Sequence, residues 1–142
     1  MSRMRLFSAA IGLFCAACAS ERLVQPPEDG GGNLRAYLAE VDRLNAQGAS
    51  KRIEGACVSA CTAYLGVRKV CLARTAELWF HAAHLPGGGP DAAGSLELLA
   101  RYPEPVRQWA IQTKALESVS FEDDHRLVAT QLAQMGVPLC NP

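Results

Sequence analysis

Hydrophobic and polar positions change rhythm several times along the chain, and each change marks an element. From Leu34 onward, Leu34, Tyr37, Leu38, Val41 and Leu44 recur at steps of three and four, which is one face of an α-helix. Asn33 suits its N-cap and Gln47-Gly48 its end. Lys51 to Gly55 reads as a short strand. A small-residue turn follows, then a helix over Ser59 to Leu65 with Gly66 near its end. Lys69 to Leu72 and Glu77 to His81 have strand character, and His84 to Gly94 is a Pro/Gly-rich loop. Leu96 to Ala100 begins a helix that Pro103 interrupts. Pro105 suits the first turn of the next, Val106 to Leu116, with Val106, Trp109, Ala110 and Thr113 on one face. A last helix is predicted over His125 to Met135, ended by Gly136 and Pro138. This alternation implies βαβ units, hence a small α/β domain with a mostly parallel sheet and flanking helices.

The first residues follow a different pattern. Arg3 and Arg5 precede an apolar run from Leu6 to Cys18, and Ala17-Cys18-Ala19 offers a small-residue cleavage site. This is the layout of a secretory signal peptide over 1–19, leaving one domain over 20–142. Cys18 behind Ala16 and Ala17 also permits lipoprotein processing, the one route by which a membrane enters as partner. Next come a short strand, Arg22 to Gln25, and Pro26-Pro27. About 120 residues can close a single modest core.

Export alters the meaning of the cysteines. Cys57, Cys61, Cys71 and Cys140 lie in the mature part, and two disulfides are the default in an oxidising compartment. Of the three pairings, Cys61 with Cys71 and Cys57 with Cys140 is favoured, since it ties the helix to the next strand and anchors the C-terminus. A zinc reading of Cys57-x3-Cys61 with His81-x2-His84 has poor spacing and is set aside, so no metal is expected. The 142 residues are 49% hydrophobic and 20% charged with no net charge, which removes any electrostatic case for nucleic acid as partner. No cofactor motif occurs.

Candidate chemistry gathers between Gly30 and His84. Ser59 stands where a strand gives way to a helix among small neighbours, although the G-x-S-x-G elbow pattern is not matched. By residue type alone it reads as a helix cap. His81 follows 22 positions later, after Leu78-Trp79-Phe80, and could serve as general base or as a satisfied core histidine. His84 competes for the role from the loop. Gly30-Gly31-Gly32 supplies backbone amides that can approach a ligand closely, as an oxyanion hole requires and as any tight turn does.

In this order, the run GGGNLRAYLAEVDRLNAQGASKRIEGACVSACTAYL followed by LARTAELWFHAA resembles the Clp protease proteolytic subunit and the wider ClpP/crotonase superfamily. The C-V-S-A-C-T variant, the F-H-A after it and Tyr102-Pro103…Trp109 are more similar to an exported bacterial branch. The resemblance spans Asp29 to His84. It implies a ClpP-like fold, Ser59 as nucleophile, His81 as base, and Gly31 and Gly32 as the oxyanion loop. Asp124, twelve residues before Gly136, matches the orienting acid. The implied activity is that of an exported serine hydrolase acting on a peptide or protein. The alternative is a catalytically inactive envelope binding protein of the same fold. Two features depart from the family: its first strands are mostly missing, and the helical handle that builds its rings has no counterpart.

Overall fold

The computed structural model describes residues 28–142. The signal peptide expected over 1–19, the lipidation expected as an option at Cys18 and the strand expected over Arg22 to Gln25 all lie outside them. The structure is mixed α/β.

The first helix, α1 (Leu34–Gln47), starts and stops where its caps dictate. The Asn33 side chain accepts from the Ala36 amide, and Gly48 ends the helix in the left-handed conformation that glycine adopts without strain. Its buried residues are Leu38, Val41 and Leu44, the predicted stripe.

Two bent strands form the centre. The first comprises β1 (Ser50–Ile53) and β2 (Ala56–Val58), the second β3 (Lys69–Leu72) and β4 (Glu77–Trp79). Gly55, at φ 59°, makes the first bend. β1 pairs parallel with β3, and β2 parallel with β4. Bonds from Ala73 N–H to Ile53 O and from Glu77 N–H to Gly55 O carry the ladder across the bend. A 3-10 helix (Ser59–Gly66) makes the crossover between the two strands, so the predicted βαβ unit is present. The sequence predicts a turn where β2 forms. Ala56–Val58 becomes a strand because its partners, β4 on one side and Asp29 on the other, complete its hydrogen bonds.

The C-terminal part departs from expectation. The helix expected over His125 to Met135 is instead a short 3-10 turn (Asp123–His125), a strand β5 (Arg126–Val128) and a helix α4 (Ala129–Gln134). β5 runs antiparallel to β4, so the sheet is mixed rather than mostly parallel. The cause is a cross-strand contact that no local pattern encodes. The Arg126 guanidinium bonds Glu77 at 3.2 Å and lies over the Trp79 ring, 5.2 Å from its centroid. Two further helices follow: α2 (Ala92–Leu99), packed on α1 and the 3-10 helix, and α3 (Glu104–Gln112). α2 begins four residues before the expected Leu96, because Asp91 accepts from the Gly94 amide at 3.0 Å and caps it. Phe80 lies at the centre of the core, with Tyr102 and Trp109 edge-on at 5.4 and 5.1 Å.

Two disulfides are formed, but not in the favoured pairing. Cys57 bonds Cys61, and Cys71 bonds Cys140. The correction follows from topology. The Leu139 segment lies alongside β3, with Leu72 N–H on Pro138 O and Cys140 N–H on Leu72 O, which sets Cys140 beside Cys71. Cys57 is the middle residue of β2, and Cys61 lies in the first turn of the 3-10 helix that follows. No helix among the described residues is long and apolar enough to cross a membrane.

Candidate functional site

Ser59 adopts φ 59°, one of two non-glycine residues with positive φ among those described. A side chain disfavours that conformation by roughly 1–3 kcal/mol, so surrounding structure must impose it. Three contacts do. β2 fixes the chain up to Val58. The Thr62 hydroxyl donates to Ser59 O at 2.7 Å, while also bonding the buried Tyr102 hydroxyl at 2.7 Å. The Cys57–Cys61 disulfide bridges the turn with Ser59 at its middle. The helix-cap reading of Ser59 is not what the chain adopts. The N-cap position belongs to Val58, and Ser59 Oγ makes no hydrogen bond among the described residues. Half-buried, Ser59 faces a cleft of about 390 Å³.

Gly31 is pressed against this turn. A Cβ there would come within 2.5 Å of Val58 O and 3.0 Å of Ser59 Cβ, and its φ is 76°. Only glycine lets the loop approach so closely. Asp29, bridged to Cys57, delivers the loop to this position. Its Oδ1 accepts from the Gly31 amide at 3.0 Å and from the Tyr37 hydroxyl. Burial, and then the bond to Asp29, push the Tyr37 phenol above its ordinary value. The Gly31 amide is thus held by Asp29, while Gly32 of the same loop lines the cleft. The amides at the start of the 3-10 helix, Ala60 included, have no helical carbonyl ahead of them to bond.

His81 is 4% exposed. Its Nδ1 lies 2.7 Å from Ala82 O. A carbonyl only accepts, so Nδ1 carries the proton and Nε2 keeps its lone pair. Burial lowers its pKa; the Ala82 contact opposes this and His84 adds to it. Phe121 packs edge-on against the ring at 4.6 Å. His84 lies nearly parallel to His81, with centroids 6.4 Å apart and planes at 11°. His84 is exposed and lines the cleft with Ser59.

Asp124 is not brought into this arrangement. Its carboxylate is 84% exposed and sits 3.9 Å from His125 Nε2, while the Ala82 carbonyl occupies the His81 nitrogen that an orienting acid would take. The Cys57–Cys61 bond also consumes the two thiols of the alternative zinc reading. Sequence reasoning missed Asp91 and Arg35, which contribute to the cleft from the first turns of α2 and α1. The caps Asn33 and Asp91 were the available signal, because residues at helix starts point toward the same opening. No known protein family, curated protein or solved structure gives a significant match to the chain.

Proposed function

We propose that the protein is an exported serine hydrolase of ClpP-like type, acting on peptides. Ser59 attacks the substrate carbonyl, and an imidazole from the segment after β4 takes its proton, His81 by the resemblance. Gly32 and the first amides of the Ser59 helix receive the oxyanion. Gly31 holds the turn, and no carboxylate is required beyond a backbone carbonyl to fix the ring.

One observation carries this reading: a serine held at φ 59° where a parallel strand enters a helix, facing a cleft shared with a histidine. Strain of that kind persists where packing over-determines it, and it exposes the hydroxyl. Two disulfides agree with export. The test is covalent labelling of the mature protein with a fluorophosphonate, located by peptide mapping. Labelling should fall on Ser59 and vanish in Ser59→Ala, along with peptide hydrolysis. Labelling that persists in the variant rejects the assignment.

The binding-protein alternative rests on a different observation. The Gly31 amide and His81 Nδ1 are both engaged within the protein. That reading expects peptide affinity in the cleft, unchanged in Ser59→Ala, with no labelling at any pH.

A further inference from the structure

The resemblance assigns the base to His81, but the geometry points to its neighbour. We propose that His84, not His81, exchanges the proton with Ser59. This rests on the serine-hydrolase reading of the site. Two observations carry it. First, His84 and Ser59 line the same cleft, and His81 is not among the residues lining it. Second, the two rings occupy different environments. His81 is 4% exposed, with Nδ1 on Ala82 O and Phe121 against its ring, whereas His84 is exposed, and its ring makes one long hydrogen-bond contact among the described residues, Nδ1 to Leu85 O at 3.4 Å. A general base must reach the hydroxyl proton directly or through one water, and must meet the leaving group afterwards. An imidazole at the cleft wall satisfies both needs.

The parallel stack gives His81 a role of another kind. Its buried ring, parallel to that of His84 with centroids 6.4 Å apart, anchors the segment that carries His84, making His81 a positioning residue. The short bridge between His84 and Pro90 fixes the backbone on the other side. The charged groups on the same cleft are Arg35 of α1, ion-paired with Glu97, and Asp91, which caps α2.

The chemistry balances with water as co-reactant. Ser59 Oγ bonds to the carbonyl carbon as its proton passes to His84 Nε2. The C–N bond breaks, and His84 returns that proton to the departing amine. Water then attacks the acyl-serine, giving its proton to His84 and releasing the acid as Ser59 recovers its hydrogen. With a fluorophosphonate, Oγ bonds to phosphorus, fluoride leaves and the proton goes to His84.

The experiment measures the rate of fluorophosphonate labelling at Ser59 against pH for the wild type, His84→Gln, His84→Gly and His81→Gln, with urea unfolding as a check on folding. The wild-type rate should rise with pH through an imidazole titration. His84→Gln should lower it by roughly 100-fold or more and flatten the profile. Added imidazole should restore labelling in His84→Gly, because the vacated site opens on the cleft. His81→Gln should keep the titration profile even where it loses stability. Labelling of folded His84→Gln at the wild-type rate and profile overturns the assignment and leaves the hydrolase reading standing. Absence of Ser59 labelling in the wild type overturns the hydrolase reading, and the His84 assignment with it.

Discussion

Ser59 and Gly31 show how two residues can share one strained turn. Ser59 turns into the left-handed region, and Gly31 fills the space its Cβ leaves against Val58 O. Glycine adopts its positive φ freely, whereas the Ser59 conformation goes against local propensity and is imposed by its surroundings. Gly31→Ala adds a Cβ 2.5 Å from a carbonyl oxygen at a φ of 76°. It should destabilise the protein by about 2–3 kcal/mol and lower the labelling of Ser59, read by urea unfolding and by the fluorophosphonate. Wild-type stability in that variant would show that the loop does not press on the turn. The other residue-scale expectation concerns His81. Burial lowers its folded pKa below the ordinary value of 6.5. Above that value the ring is neutral in both states and costs nothing. As pH falls below it, the unfolded chain takes up a proton that the folded chain resists, so stability is lost down to the depressed folded pKa. The loss in unfolding free energy from about pH 7.5 to about pH 5 should be smaller in His81→Phe than in the wild type. Equal slopes would mean that His81 is as solvated folded as unfolded.

At the scale of elements, the two disulfides do different things. Cys57–Cys61 spans a sequence separation of 4 and Cys71–Cys140 one of 69. On loop-closure entropy the first contributes about 2 kcal/mol and the second about 4 kcal/mol. The short bridge shapes the Ser59 turn, and the long one fastens the C-terminal segment to β3. Replacing each pair with alanines should separate these effects. The Cys71/Cys140 pair should lose more stability in urea, and the Cys57/Cys61 pair more Ser59 labelling per unit of stability lost. The reverse order would argue that the short bridge is the structural one. The elements also differ in how legible they were. α1 announced itself because an Asn cap, an apolar stripe and a Gly stop all lie within its own residues. β5 did not, because Arg126, Leu127 and Val128 become a strand only by meeting Glu77, Leu78 and Trp79. α2 was legible only in part, since Gly94 looks like loop until Asp91 is seen to bond its amide.

Over the whole molecule, the bent pair of parallel strands brings Ser59, the Gly loop and the histidines to one end. β2 and β4 run side by side in the same direction, so the residues following each emerge together, which places Ser59 near the segment that holds His81 and His84. Asp29 joins the other edge of β2 and delivers Gly31 and Gly32 to the same end. The sequence by itself determined what depends on neighbours in the chain: α1 and its caps, the βαβ order, four cysteines able to form two disulfides, and the serine, histidine and glycine types of the candidate site. Tertiary structure alone decided the rest. It chose the cysteine pairing, because that depends on which strand receives the C-terminal segment. It turned β5 from helix to strand, because cross-strand contacts outweigh local propensity. It left Asp124 exposed to solvent and set His84 beside the Ser59 cleft, because a side chain's surroundings are fixed by packing between segments far apart in sequence.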